Sequence, residues 1–157
     1  TNVIAIQHFM EPADAPKLKD FYASPAFEAR MEKHQKPGTP VSIYFCAENF
    51  TETWVDDSGA EFKRIFAHHG TTSYDDWLPI FRGADHADLG ILRSTVLRHD
   101  DDKSYVFAVH DVRSDKVDAL VGFFGSSDFK ALVKDVATGD ATVLVTDSVE
   151  VHNWTAQ

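Results

Sequence analysis

The sequence predicts an α+β fold: an antiparallel sheet with helices packed on one of its faces. Two observations carry that expectation. From residue 61 onward, short apolar runs and longer stretches of helical period succeed one another as strand, helix, strand, strand, helix, strand. In addition, residues 3–46 resemble residues 105–148 at an offset of 102 positions, which marks an internal repeat.

The elements follow in order. Val3 to Phe9 is short, apolar and rich in β-branched residues, as a strand requires. The breaker cluster from Glu11 to Pro16 follows, with Asp14 as a candidate N-cap and Pro16 in the first helical turn, where a missing N–H costs nothing. Leu18, Phe21 and Tyr22 form the apolar side of that helix. After Ser24-Pro25 a second helical piece carries Phe27, Met31 and His34. Pro37 to Pro40 ends it, and Val41 to Phe45 reads as a strand.

A hairpin is expected next. Asn49 to Val55 alternates, Asp56-Asp57-Ser58-Gly59 supplies turn chemistry, and Ala60 to His69 returns as a strand. Gly70 to Ser73 leads into an amphipathic helix with Trp77, Leu78, Ile80 and Phe81. Ile91 to His99 and Ser104 to Val112 make a second hairpin across the acidic turn Asp100-Asp101-Asp102. Asp115 to Ala137 is helical with an interruption at 122–127, and Ala141 to Val151 is the last strand.

The repeat is read residue by residue. Phe21 aligns with Phe123, Tyr22 with Phe124, Ser24 with Ser126, Phe27 with Phe129 and Ala29 with Ala131. Val41 then aligns with Val143, and Ile43 with Val145. The expected organisation is a partial β-α-β repeat over 1–50, a hairpin connection over 51–60 and a full β-α-β-β-α-β unit over 61–153. All three are expected to pack as one compact unit.

Composition limits the partners. Of the 157 residues, 43% are hydrophobic and 25% charged, which suits a globular chain and excludes disorder. The formal net charge of −10 is spread along the whole chain. No cluster of Lys and Arg could neutralise a row of phosphates, so nucleic acid and anionic membrane surfaces are excluded as partners. The Asp100–Asp102 run lacks the spacing, glycine and distal Glu of a calcium loop. Cys46 is the single cysteine, which rules out an internal disulfide and a thiolate zinc site. With no leader-like first segment and no long apolar run, the chain is expected to be cytoplasmic.

Strand, helix, strand, strand, helix, strand is the ferredoxin-like arrangement. Two motifs resemble the dimeric α/β-barrel superfamily of antibiotic-biosynthesis-type monooxygenases, polyketide cyclases and stress-responsive barrel proteins. The first is His69, Tyr74, Asp75, Trp77 and Phe81, spaced His-x4-Tyr-Asp-x-Trp-x3-Phe. The second is a helix broken at Ser-x-x-Phe, at both Ser24–Phe27 and Ser126–Phe129. Ser73 and Arg82 stand where the family pattern has Asp. The resemblance implies a homodimer whose sheets meet face to face, and cyclase or cofactor-free monooxygenase chemistry.

The candidate chemistry centres on histidine. His68 and His69 are adjacent on a strand, so they point to opposite faces and cannot share a metal. His69 shares a face with Ile65 and Ala67, and an imidazole at the end of an apolar face can move a proton near neutrality. The plainer reading is a histidine bonded to backbone at a strand end. His110 is a second strand-end histidine and His8 a third, without the spacing of a metal site. Arg93, alternating on a near-central strand, either holds an anion or pairs with Asp111 or Asp147.

Tyr74, Trp77 and Phe81 are candidate ligand-binding residues, although aromatic residues at this helical spacing also build cores. No phosphate loop, dinucleotide motif or nucleophile elbow is present, so no cofactor and no metal is expected. The leading expectation is a protein that binds a flat, apolar or aromatic small molecule. The alternatives are a cofactor-independent enzyme using His69, Arg93 and His110, or a non-catalytic structural dimer whose interior is filled by Phe.

Overall fold

The computed structural model describes residues 11–34, 43–57, 59–99 and 104–146. The chain divides into two compact units, one within Ile6–Phe45 and one holding the sheet from Cys46 onward, where a single unit was expected. The strand expected at 3–9, the acidic turn at 100–102 and the end of the last strand lie outside the described residues.

The first unit contains helices α1 (Ala15–Tyr22) and α2 (Pro25–His34) behind a 3-10 turn at Pro12–Asp14. Asp14 occupies the N-cap position but makes no capping bond. Its carboxylate instead accepts from the Lys17 ammonium at 2.8 Å.

The second unit runs β1 (Cys46–Thr53), β2 (Phe62–Gly70), α3 (Tyr74–Gly83), β3 (Ile91–His99), β4 (Tyr105–Arg113), α4 (Val117–Phe124), α5 (Ser127–Val133) and β5 (Thr142–Val145). The five strands among the described residues are ordered β1-β3-β4-β2-β5, every pair antiparallel. The last four elements of that order are the ferredoxin-like sheet, and β1 extends its β3 edge. Among the described residues no helix is long and apolar enough to cross a membrane.

Two expectations fail at β1. Residues 43–45 form no strand; pairing starts at Cys46 because that residue faces His99, the last residue of β3. The hairpin expected between Asn49–Val55 and Ala60–His69 is also absent, so 51–60 is not a hairpin connection. Both edges of β2 are taken, one by β4 and the other by β5. β1 therefore lies across the sheet on the remaining edge of β3, where the Trp54 N–H continues the ladder to Leu92 O at 2.8 Å. Local turn chemistry lost to the demand that every ladder group find a partner.

Alternation sorts the side chains by face. Ile65, Ala67 and His69 of β2 and Val106, Ala108 and His110 of β4 face helices α3, α4 and α5. Trp77 packs with Val96 and Val106 in one buried cluster, and Leu120 packs with Ile65, Ile91 and Val112 in another. Leu120 is fully buried, and its truncation to Ala would cost about 2–5 kcal/mol.

The two helix pairs are copies at the predicted offset. α1 maps onto α4 residue for residue, and α2 and α5 start at corresponding positions. Ser24 donates to Phe21 O at 2.6 Å and accepts from the Phe27 N–H at 3.2 Å. Ser126 donates to Phe123 O at 2.7 Å and accepts from the Phe129 N–H at 3.1 Å. In each copy three aromatic rings cluster at the break, with Tyr22–Phe27 at 4.9 Å and Phe124–Phe129 at 5.1 Å. A serine that ends one helix and caps the next explains why Ser recurs at both breaks.

Candidate functional site

A cavity lies between the sheet and helices α3, α4 and α5, in the second unit. Its volume is about 60 Å³. Its walls are aliphatic and aromatic, with Trp77, Phe81, Phe123, Phe124 and Phe129 prominent. Among the described residues, the titratable side chains lining it are three histidines, His69, His86 and His110.

His69 stands at the end of β2, where the chain hands over to α3. Ser73 caps that helix by accepting the Asp76 N–H at 3.3 Å, which places Trp77 one turn on, over the sheet. Trp77 donates its indole N–H to His69 Nε2 at 3.0 Å, and His69 Nδ1–H donates to Gly70 O at 2.8 Å. An indole N–H only donates and a carbonyl only accepts, so these bonds fix the tautomer. Burial pushes the imidazole pKa below the ordinary histidine value. Its single lone pair is already engaged.

His110 lies on the same face but not beside His69. β2–β4 register sets His69 opposite Val106 and Ile65 opposite His110, so the two histidines are separated by about 13 Å of strand. His110 Nδ1 is 2.8 Å from Ser94 Oγ, which accepts the Trp54 indole N–H at 2.8 Å. Desolvation, with neighbouring His86 adding to it, pushes the His110 pKa down to about 3.

The third histidine had no signal in the sequence. His86 sits in the loop between α3 and β3, outside any periodic segment. That loop is tied by Ile91 N–H to His86 O at 2.9 Å and turns at Gly90, whose φ of 78° favours glycine. The imidazole stacks on Trp54 with ring centroids 3.9 Å apart and planes within 4°. Its Nδ1–H donates to Ala84 O at 2.8 Å. Burial lowers its pKa as well.

The other candidates divide. Trp77 and Phe81 line the cavity, stacked on each other at 4.8 Å. Tyr74 does not line it; it belongs to the buried cluster around Trp77, and its hydroxyl is buried with no partner among the described residues. Arg93 is on the opposite face of the sheet, paired with Asp111 through Nη2–Oδ2 at 2.5 Å. Arg64 holds the other carboxylate oxygen of Asp111 at 2.7 Å. Arg93 therefore does not assist a histidine in the cavity, because strand alternation carries the two to opposite faces. Among the described residues, no three His, Cys, Asp or Glu side chains are grouped to hold a metal.

No protein-family model matches the chain, and no curated protein matches it by sequence. Its structure is similar to the crystal structure of a candidate monooxygenase from Fusobacterium nucleatum, with a TM-score of 0.49 and 8% identity. The match covers 80% of this chain and 61% of that one, so the chain spans about three fifths of that protein's length.

Proposed function

We propose that this chain binds a compact, flat, apolar small molecule in the cavity between its sheet and helices. The observation that carries the reading is the lining. Among the described residues, five aromatic side chains and a ring of aliphatic ones surround open space, with no carboxylate, ammonium or guanidinium in the lining. Such a surface favours flat apolar molecules through area burial and ring–ring packing. Phenylalanines line the cavity without filling it, which counts against the purely structural alternative.

The test is a titration of the full chain with naphthalene, followed through tryptophan fluorescence, to which the cavity-lining Trp77 contributes. Saturable quenching is expected, and Ala108→Leu, which places a larger side chain on the cavity floor, should abolish it. Absence of saturable quenching in the native chain would overturn the proposal. So would unchanged binding in a folded Ala108→Leu variant.

A cofactor-independent enzyme is a second reading, and one observation favours it. His86 keeps its Nε2 lone pair without a protein partner among the described residues. The histidine available for proton transfer under that reading is His86, not His69.

A further inference from the structure

The histidines of the cavity differ in what their hydrogen bonds leave over. His86 Nδ1–H is committed to the Ala84 carbonyl, which can only accept. Its Nε2 is thus a bare acceptor. His110 is fixed the other way round. Ser94 Oγ already accepts from Trp54, and its own hydrogen has His110 Nδ1 as its acceptor among the described residues. His110 Nδ1 then carries the lone pair and Nε2 the hydrogen. Neither Nε2 has a protein partner among the described residues, and both side chains line the cavity. Both rings pack on Phe81, with centroids at 4.6 Å for His86 and 6.2 Å for His110.

We propose that His86 and His110, held in opposite tautomers, select a flat neutral ligand that carries a hydrogen-bond donor and an acceptor, of the cyclic-amide class. The inference rests on the reading of the cavity as a site for flat molecules and adds the polar chemistry of its occupant. A cyclic amide answers both histidines at once, its N–H meeting His86 Nε2 and its carbonyl meeting His110 Nε2–H. Burial lowers the pKa of both imidazoles, which disfavours the charged forms that a carboxylate would need as counter-ions. A buried donor or acceptor left unmet is penalised heavily, and this is what makes the pair selective. An apolar ligand of the same shape strands both nitrogens, and an N-methylated amide strands His86.

The experiment compares three probes by ligand-observed NMR titration of the full chain: 2-quinolone, N-methyl-2-quinolone and naphthalene. We expect 2-quinolone to bind at least about tenfold more tightly than either of the others. His86→Phe keeps a flat ring on Trp54, and it should remove the preference while naphthalene still binds. Equal affinities for all three in the native chain would overturn the inference and leave the binding reading standing. Failure of all three to bind would overturn both. Long-range ¹H–¹⁵N spectra of the native chain make the test independent of the variant's folding. His86 protonated at Nδ1 and His110 at Nε2 is the expected result, and the same tautomer at both would sink the proposal.

Discussion

Trp77 donates its indole N–H to the Nε2 of His69, eight residues earlier, across 3.0 Å. That single bond decides what His69 can do. With Nδ1–H on Gly70 O, both ring nitrogens are spent within the protein. His69 is a fixed wall of the cavity that ties α3 to the end of β2.

Trp77→Phe keeps an aromatic ring but removes the donor, leaving the buried His69 Nε2 without its partner. We expect a loss of about 2–4 kcal/mol, combining the unmet acceptor with the lost volume. Urea unfolding of Trp77→Phe, His69→Phe and the double variant would measure the coupling, expected at about 0.5–3 kcal/mol. Additive single effects would show that the bond contributes nothing.

On the other sheet face, Asp111 is buried between Arg64 and Arg93, whose side chains are 20% and 49% exposed. Asp111→Ala leaves one largely buried guanidinium unpaired and should cost about 2–4 kcal/mol, discounted because water reaches both arginines. Arg93→Ala should cost under about 1 kcal/mol, since half of that side chain is in water. Chemical denaturation of the two variants tests the ranking, which equal losses would refute.

The acid response follows from His110. Its folded pKa, about 3, lies below the ordinary histidine value of 6.5, so between those values the unfolded chain binds more protons than the folded one. Stability is then complete above about pH 6.5 and falls as pH drops toward 3, by up to about 1.4 kcal/mol per pH unit for one such group. The lowered pKa values of His68, His69 and His86 act in the same direction. His110→Gln should flatten the fall in melting temperature between pH 7 and pH 4. A slope unchanged from the native chain would show that His110 is not charging on unfolding.

The face of the sheet away from the helices bears Phe66, Leu97 and Phe107, each partly buried. Pairing of two copies is the state expected from the sequence. Light scattering at micromolar concentration should return twice the chain mass of 17.6 kDa. A mass of one chain would rule that pairing out.

The local framework is legible in the residues alone. The β3–β4 hairpin, the α4–α5 break at Ser126 and its copy at Ser24 were legible because period, turn chemistry and capping act over a few residues. Opposite faces for His68 and His69 followed from strand geometry alone. Strand pairing and the membership of the site depend on long-range packing. β1 joined β3 because the edges of β2 were already paired, a competition that no local signal in Asp56–Gly59 could register. Arg93 left the site because β3 register set it against Asp111 on the far face. His86 entered it from a loop without periodicity, held by backbone bonds to Ala84 and Ile91 and a stacked Trp54. Local pattern assigns a residue to an element and a face. Which polar atoms stay free once the elements pack depends on partners distant in the chain, and that is where the chemistry of the cavity is set.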